Sequence, residues 1–421
     1  MARKMKDSGV EWIGQIPEDW KIVKFKTQAD IIMGQSPDGN DIRSEGQTLF
    51  MQGNREFGEK YPNPTLYCDT CNKHSRIGDI LMSVRAPVGA INESDKIYGI
   101  GRGLCSIKAE NIDNGFLKYY LKKSVEDLRY YSNGSTFEAI TVEKLENFRI
   151  TIPTESEQVR IAKFLDEKIG EIDAIIDKTK MSIEEYKKYK VSVITEAILG
   201  AGREEDRYKN VDSIFIKRIP IEWELCKLKY LSEEIGDGLH STPEYDDEGD
   251  VYFINGNNIG REYLEIKSST NKLNDLEYRK YKKPLLNKQT IMIALNGATY
   301  GKLSFYNFEK VLLGKSAGYI TLKDCVNKRY MKYYLQSSLA KNFMSLSLNG
   351  TTIQNLSLGT LNEMLVIVPT EVKQQEIVEY LNEKCAEIDN LIAKKEAFIE
   401  EMEAYKKSLI YEYVTGKKEV L

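Results

Sequence analysis

The sequence predicts an α+β protein: two mixed α/β units related by internal duplication, each followed by a long α-helix, with the two helices packing as an antiparallel coiled coil. Three observations support this prediction. Residues 152–200 align with 368–416 without a gap and with 22 identities in 49 positions. Apolar residues in both copies recur at threes and fours, as on one face of a helix. Short strand-like runs precede each copy, which indicates a repeated unit before each helix.

The two α/β units are recognised by runs that occur in the same order. Strand-like runs GDILMSV, from Gly78, and QTIMIAL, from Gln289, are bounded by turn residues and end in glycine-containing loops. Helix-like runs FLKYYL, from Phe116, and YMKYYL, from Tyr330, follow later in each unit. The units are therefore expected to share a framework and to differ in their surface loops.

The start of each unit is also repeated. IPEDWKIVKFK from Ile16 matches IPIEWELCKLK from Ile219 at an offset of 203, whereas the helices match at an offset of 216. The middles of the units therefore differ in length by about 13 residues. The predicted organisation is a first unit with its N-terminal segment (1–152), a central long helix (153–203), a second unit (204–368) and a C-terminal long helix (369–421).

Capping residues predict where the long helices begin and end. Thr154 is a candidate N-cap, and Glu157, three residues later, would complete a capping box in the first copy. Lys373 stands at the position of Glu157 in the second copy, so a weaker cap is expected there. Gly200 and Gly416 occupy equivalent positions, as C-terminal stops would.

Each helix carries one narrow apolar stripe, which predicts a seam with the other copy. A helix of about 45 residues spans roughly 65–70 Å at about 1.5 Å per residue, which is longer than a compact domain. Two separate helices, each packed on its own unit, are the alternative. The stripe extends through Tyr189 in the first copy and Tyr405 in the second. Its predicted seam residues are Ile161, Leu165, Ile169, Ile172, Ile176, Ile377, Leu381, Cys385, Ile388 and Ile392.

Length and composition are those of a globular protein of two or three domains. The 421 residues are 41% hydrophobic and 29% charged, with a formal net charge of −4. No apolar run reaches the roughly 18 residues of a membrane-spanning helix. The N-terminus has basic residues without an apolar segment behind them, so a cytoplasmic location without membrane contact is expected.

A metal site is not predicted. The six cysteines are too sparse for a disulfide scaffold of this length. Cys68, Cys71 and His74 lie close together in sequence, but a structural zinc site normally needs four ligands. Reduced thiols in a loop are the favoured interpretation.

Sequence motifs for catalysis and cofactor binding are also absent. The two histidines, His74 and His240, form no H-E-x-x-H pair, and no phosphate loop occurs. The glycine-rich run 98–103 lacks the strand and helix that would flank a dinucleotide loop. NPTLY, from Asn63, differs by one residue from a methyltransferase signature and is interpreted as a chance match. We therefore predict no catalytic residue and no cofactor in this chain.

Polar loop residues instead suit DNA recognition. Asn and Gln can form bidentate contacts to adenine and Arg to guanine, and basic side chains can also contact phosphates. The loops MQGNREFG, from Met51, and INGNNIG, from Ile254, stand at equivalent places, and the run 279–288 is basic. The candidate DNA-binding residues are Gln52, Asn54, Arg55, Arg85, Arg102, Asn255, Asn257, Asn258, Asn296, Lys302 and Lys315.

The whole chain resembles the specificity (S) subunit of type I restriction–modification systems. The resemblance rests on SGVEWIGQIPEDWKIVKFK at the N-terminus, on GDILMSVRAPVGA, and on the repeated module ITVEKLENFRITIPTESEQVRIAKFLDEKIGEIDAII. The second module, with KQQEIVEYLNEKCAEID, is a close variant.

The resemblance implies that each α/β unit is a target recognition domain for one half of a bipartite double-stranded DNA site. The helices would form the spacer and bind two modification subunits, which carry S-adenosylmethionine and methylate adenine at N6. Two restriction subunits, which use ATP and Mg²⁺, would complete the nuclease. The S subunit itself would be non-catalytic.

Two other interpretations remain open from the sequence. The chain could be a coiled-coil scaffold without DNA specificity, which DNA binding would exclude. It could instead be a stand-alone DNA methyltransferase, which would bind S-adenosylmethionine by itself. If the helices act as a spacer, a four-residue insertion would shift the readers by about 6 Å, or roughly two base pairs.

Overall fold

The duplication found in the sequence is present in the fold. The computed structural model describes residues 3–10, 13–125, 127–128, 139–201, 207–346 and 355–420. The repeated NGST and NGTT runs, at 133–136 and 349–352, lie outside the described residues. The chain divides into unit 1, Met1–Lys180 with Glu396–Leu421, and unit 2, Met181–Lys395.

Unit 1 contains eleven described strands and two short helices before its first long helix. The strands are β1 (Met5–Asp7), β2 (Gln15–Pro17), β3 (Lys21–Lys24), β4 (Ala29–Met33), β5 (Leu49–Met51), β6 (Leu66–Tyr67), β7 (Ile80–Ser83), β8 (Ile91–Glu93), β9 (Gly99–Ile100), β10 (Leu104–Ala109) and β11 (Arg149–Ile152). The helices are α1 (Asn114–Lys123), α2 (Val142–Asn147) and the long α3 (Glu155–Leu199), which continues into unit 2.

Unit 2 repeats this order. Its described strands are β12 (Tyr208–Asn210), β13 (Arg218–Pro220), β14 (Glu224–Lys227), β15 (Ser232–Asp237), β16 (Val251–Ile254), β17 (Lys272–Leu273), β18 (Thr290–Ala294), β19 (Leu303–Phe305), β20 (Val311–Leu313), β21 (Ala317–Leu322) and β22 (Leu365–Val368). Its helices are α4 (Leu228–Leu231), α5 (Asp275–Arg279), α6 (Lys328–Gln336), α7 (Ser338–Leu346), α8 (Leu358–Glu363) and the long α9 (Glu371–Val414), which ends in unit 1.

Both units have the same sheet topology. A four-stranded antiparallel sheet has the order β4-β10-β7-β8 in unit 1 and β15-β21-β18-β19 in unit 2. A three-stranded sheet, β6-β5-β9 or β17-β16-β20, contains one parallel pair in each unit. A register shift between Ser232 and Glu234 adds one residue to β15, so the two units differ in numbering from that point. The predicted α+β fold with two equivalent units is confirmed.

The repeated residues of the helix modules have structural roles. Gln158 and Gln374 are buried at equivalent positions. The side chain of Gln158 accepts from the Asp113 backbone N–H at 2.7 Å and donates to the Pro153 carbonyl at 3.1 Å. Gln374 makes the same two bonds, to Asn327 N–H at 2.9 Å and to the Pro369 carbonyl at 3.0 Å. The glutamine therefore fixes the start of each long helix to the start of a shorter one.

A repeated tyrosine makes a second tie between the same helices. The Tyr119 hydroxyl, on α1, donates to the Asp166 carboxylate on α3 at 2.7 Å. The Tyr333 hydroxyl, on α6, donates to Asn382 on α9 at 2.9 Å. Each unit thus attaches its α/β portion to the long helix that follows it, through the same pair of positions.

The long helices have the predicted lengths, 45 residues for α3 and 44 for α9. Both end at a glycine with positive φ, +70° at Gly200 and +71° at Gly416, as predicted. The capping box predicted for Glu157 is wrong. Its carboxylate accepts from Arg3 at 2.6 Å and from the Trp20 indole at 3.0 Å, so it anchors the N-terminal segment. Among the described residues, no helix has the length and apolarity needed to cross a membrane.

Each unit contains an antiparallel pair of long-helix segments. In unit 1, the rings of Phe164 and Tyr413 lie 4.5 Å apart, and further along α3 the Asp173 carboxylate pairs with Lys406. In unit 2, Lys190 pairs with Asp389 at 2.6 Å. As the residue numbers increase along α3, the numbers of the residues that they contact on α9 decrease, so the paired segments are antiparallel.

The predicted seam residues are buried, but they face more than the partner helix. Of the ten, Ile392 is half-buried and the others are buried. In unit 1 they share one core with residues of the α/β portion and with Leu409, Ile410 and Val414 of α9. Packing on the unit and packing on the other helix therefore occur together.

Two tyrosines of the predicted stripe lie outside the seam. Tyr189 is 58% exposed and Tyr405 is 52% exposed. Three residues turn a helix by about 300°, so two successive steps of three carry Tyr189 about 120° from Ile183. The prediction placed both tyrosines on the apolar stripe because it continued the three-residue spacing for one step too many.

Candidate nucleic-acid interface

In unit 1, four chain segments meet where strands of its four-stranded and three-stranded sheets end. The N–H of Gly34, just after β4, donates to the Leu104 carbonyl at 2.9 Å. The N–H of Gly101, after β9, donates to the Met51 carbonyl at 2.7 Å, and the N–H of Gly103 donates to the Gln52 carbonyl at 3.1 Å. The N–H of Val84, after β7, donates to Gly103 at 2.9 Å. The residues that follow these strands are thereby brought to one surface.

Unit 2 builds the same junction with the same backbone bonds. The N–H of Gly238, after β15, donates to the Ala317 carbonyl at 3.1 Å. The N–H of Gly314 donates to the Ile254 carbonyl at 2.8 Å, and the N–H of Leu295 donates to Ser316 at 2.9 Å. These bonds define the equivalent positions of the two units independently of any sequence alignment.

We call the side chains carried by this junction the strand-end surface. In unit 1 it comprises Ser36, Gln52, Arg55, Arg85 and Arg102. In unit 2 it comprises His240, Asn255, Asn257, Asn296 and Lys315. The structure thus brings together Gln52, Arg85 and Arg102 in one unit and Asn255, Asn296 and Lys315 in the other, all of which are sequence-predicted site residues.

The framework holds Gln52 and Asn255 in defined orientations. The Gln52 amide donates to the Ser36 hydroxyl at 2.6 Å. The Asn255 side-chain oxygen accepts from the Ser316 hydroxyl at 3.1 Å, and that hydroxyl also accepts from the Gly256 N–H at 2.9 Å. A polar group held in one rotamer loses less conformational entropy on binding, which suits base recognition.

The close approach of two segments requires glycine at Gly34 and Gly238. A Cβ at Gly34 would lie 2.2 Å from the Gly101 carbonyl oxygen. A Cβ at Gly238 would lie 2.3 Å from the Leu313 carbonyl. A side chain at either position would therefore separate the strand end from the turn that carries Arg102 or Lys315.

The cationic side chains of the unit 1 surface are free to contact a ligand. Arg55, Arg85 and Arg102 are exposed, and none of them has a side-chain hydrogen bond or ion pair among the described residues. By contrast, Arg76 in the same unit pairs with Asp30 at 3.0 Å. Unpaired guanidinium groups on a surface with fixed polar neighbours suit contacts to bases or phosphates.

The loop residues after β5 and β16 correspond differently from the sequence pairing. The Asn63 N–H donates to the Glu56 carbonyl at 2.8 Å, and the Glu265 N–H donates to the Asn258 carbonyl at 2.9 Å. Glu56 therefore corresponds to Asn258, and Arg55 to Asn257. Counting along the sequence from Met51 and Ile254 pairs Arg55 with Asn258 instead, because it does not detect the one extra residue in the unit 1 loop.

Asn258 does not belong to the strand-end surface. It is buried, and its side chain accepts from the Asn255 N–H at 3.0 Å and donates to the Glu265 carbonyl at 2.9 Å. Its hydrogen-bonding groups serve the fold of the loop, which removes it from the candidate DNA contacts. Asn54 is half-buried beside Arg55, and Lys302 is exposed directly before β19.

The basic run 279–288 is mostly neutralised within unit 2. Lys280 pairs with Glu277 at 2.5 Å, Lys282 with Glu234 at 3.6 Å, and Arg279 with Asp275 at 3.9 Å. These cations contribute less free charge than the sequence suggests.

The cysteine and histidine cluster has the character of buried thiols. Cys68 and Cys71 are buried, and the Cys71 sulfur lies 3.2 Å from His74 Nε2. Burial raises the pKa of the Cys71 thiol to about 11. Within the described part of the chain, no three His, Cys, Asp or Glu side chains are placed to hold a metal ion together.

Sequence analysis missed Ser36, His240 and Ser316. Each lies two residues after a glycine that is required by the close approach of two segments or by the turn between strands. Ser36 and His240 could have been found from one signal. In both units a glycine directly follows a strand, and a polar residue follows that glycine within two positions. The bulge in β15 concealed it by shifting the alignment by one residue.

Comparisons with known proteins agree with this architecture. The profile of the type I restriction modification DNA specificity domain matches residues 17–185 and 220–401. The MjaVIII type I restriction enzyme specificity subunit of Methanocaldococcus jannaschii is 24% identical over 428 residues, covering 96% of this chain and 94% of its own. The MjaX specificity subunit of the same organism is 44% identical over 181 residues, which span 42% of each chain.

A solved structure has the same fold. It comes from work on complex assembly and conformational transition of the type I R-M system. It covers 96% of this chain and 99% of its own, with a TM-score of 0.67 at 15% identity. The profile spans both α/β units and most of each long helix, so the chain belongs to the family of type I restriction–modification DNA specificity proteins.

Proposed function

We propose that this chain recognises a bipartite double-stranded DNA site, with the strand-end surface of each unit contacting one half-site. One observation carries the proposal: the two units share a hydrogen-bonded framework yet present different side chains at its equivalent positions. Two related domains that recognise different DNA sequences require a constant framework that carries different exposed polar residues. The chain supplies recognition, and catalysis belongs to partner subunits.

Replacement of one unit tests this function directly. Exchanging residues 21–152 for the corresponding segment of a relative is expected to change one half-site and to leave the other unchanged. Single-molecule sequencing of methylated adenines, in cells that carry the chain with its modification subunits, gives the result. The exchange of 222–368 is the matched control and should change the opposite half-site. A motif that stays the same in both exchanges contradicts the proposal.

The long helices offer two equivalent surfaces for a partner. In unit 1, Ile175 and Tyr405 are 44% and 52% exposed, close to the pair of Asp173 and Lys406. Ile175 lies three residues after the seam residue Ile172 and is turned from it by about 60°, and Tyr405 lies outside the seam like its copy Tyr189.

Unit 2 repeats this arrangement. Leu391 and Tyr189 are 41% and 58% exposed, close to the pair of Asp389 and Lys190. Leu391 is the copy of Ile175, and Tyr189 is the copy of Tyr405. Two identical arrangements favour two copies of one partner, and we assign them to two modification subunits. Those subunits would bring S-adenosylmethionine, and restriction subunits with ATP and Mg²⁺ would join the complex through them.

Loss of one exposed tyrosine should lower the stoichiometry of this complex. Tyr405→Glu places a charge on the unit 1 surface and is expected to weaken binding there by roughly 30-fold, the effect of losing one interface hot spot. Native mass spectrometry with the modification subunit should show one bound copy in place of two.

Tyr189→Glu is the matched variant for the unit 2 surface, and the two changes together should abolish the complex. Ile214→Glu, at a 74% exposed residue between β12 and β13, controls for a new surface charge. Two bound copies with the double variant would exclude these surfaces as the docking sites.

A further inference from the structure

The equivalent positions of the two strand-end surfaces differ in a consistent way. The backbone bonds align Arg55 with Asn257, each the middle residue of the short turn after the first strand of its three-stranded sheet. They align Arg85 with Asn296, since the preceding residues, Val84 and Leu295, bond to equivalent carbonyls.

The third position lies in the turn between the last two strands of the junction. There Arg102 corresponds to Lys315, each following a glycine whose N–H bonds to the strand alongside. Unit 1 therefore has arginine at all three positions, whereas unit 2 has two asparagines and a lysine.

These side chains are available for binding in both units. Arg55, Arg85 and Arg102 are exposed, as are Asn257 and Lys315, and Asn296 is half-buried. Their side chains have no hydrogen bond or ion pair to any other part of the chain that the structure describes.

The chemistry of the two sets selects different bases. Arginine donates two parallel hydrogen bonds to O6 and N7 of guanine, whereas asparagine both donates to and accepts from adenine at N6 and N7. An arginine meets no second acceptor on adenine, since the N6 amino group is itself a donor. An asparagine likewise matches adenine better than guanine.

We infer that, at these positions, the arginines of unit 1 contact guanine in one half-site and the asparagines of unit 2 contact adenine in the other. This inference rests on the proposed function. Arg55, Arg85 and Arg102 contact guanine, and Asn257 and Asn296 contact adenine. Lys315 strengthens binding of unit 2 at the place where Arg102 acts in unit 1.

Conservative variants test the assignment base by base. Arg85→Lys and Arg102→Lys keep the charge but lose the bidentate geometry. Each is expected to lower discrimination at one G·C pair by roughly 5- to 150-fold, and only within one half-site. Asn296→Ala and Asn257→Ala should do the same at A·T pairs of the other half-site. The readout is the fraction of methylated sites with each base at each position, in cells that carry the modification subunits.

The controls separate this inference from the proposed function. Arg76→Lys changes an exposed arginine of unit 1 that is paired with Asp30, and it should relax no position. The inference is overturned if the arginine variants relax discrimination at A·T pairs, if the asparagine variants relax it at G·C pairs, or if neither set relaxes it at any position. If the unit exchange still switches a half-site in that case, the proposed function stands. If the exchange switches neither half-site, the proposed function itself fails.

Discussion

Replacing Trp20 with alanine is expected to lower the free energy of unfolding of unit 1 by about 3–5 kcal/mol, as for other buried large aromatic residues. The Trp20 side chain is fully buried, and its ring packs edge-on against Phe116 with centroids 6.4 Å apart. Its indole N–H donates to Glu157 at 3.0 Å, and the Arg3 guanidinium lies 5.3 Å from the ring. The substitution removes both the packing and a hydrogen bond to a buried carboxylate.

Hydrogen exchange resolved by peptide measures this effect in each unit separately. Amides of α1 should lose protection in Trp20→Ala, and amides of α6 should keep theirs. Trp223→Ala, at the equivalent and equally buried residue, should reverse the pattern. Trp20→Phe keeps most of the packing and should cost only about 1–3 kcal/mol, the cost of leaving the Glu157 carboxylate without this donor. Unchanged protection of α1 in Trp20→Ala would show that the tryptophan does not hold unit 1 together.

The regular parts of this protein could be predicted because their signals repeat along the chain. The apolar spacing of α3 and α9 extends over twelve helical turns, so an error at one position does not change the prediction. The positive φ of Gly200 and Gly416 followed from their place at the end of that pattern. Because the chain is duplicated, each element could be predicted from two copies of its sequence.

The candidate site was less predictable because loops have no period. The types of residue point to Arg85 and Arg102, which the structure places on the strand-end surface, but they do not exclude Asn258, whose side chain forms hydrogen bonds within the fold. Glu157 fitted the capping-box pattern, yet tertiary contacts with Arg3 and Trp20 bind its carboxylate instead. For Glu157 the local pattern was outweighed by partners distant in sequence, and for Asn258 the residue type was outweighed by hydrogen bonds within its own loop.

A paired insertion in the long helices should change the gap between the two half-sites. Unit 1 ends on α3 at Lys180 and resumes on α9 at Glu396, and these two positions are exact copies in the repeat. Seven residues added after Lys180, and seven more before Glu396, would lengthen both helices by about 10 Å. At about 3.4 Å per base-pair step, the gap should grow by about three base pairs.

The choice of seven residues and of both helices keeps each unit intact. Seven residues are nearly two full turns, so the seam continues on the same face beyond the insertion. Because both helices gain the same length, the pair of Asp173 and Lys406 keeps its register in unit 1, and the pair of Lys190 and Asp389 keeps its register in unit 2.

An insertion in α3 alone is the matched control, since it breaks one register and should reduce methylation without defining a new gap. Sequencing of methylated sites should show both half-sites unchanged and only their separation increased. A gap that does not change would mean that the long helices hold the units together without measuring the distance between their half-sites.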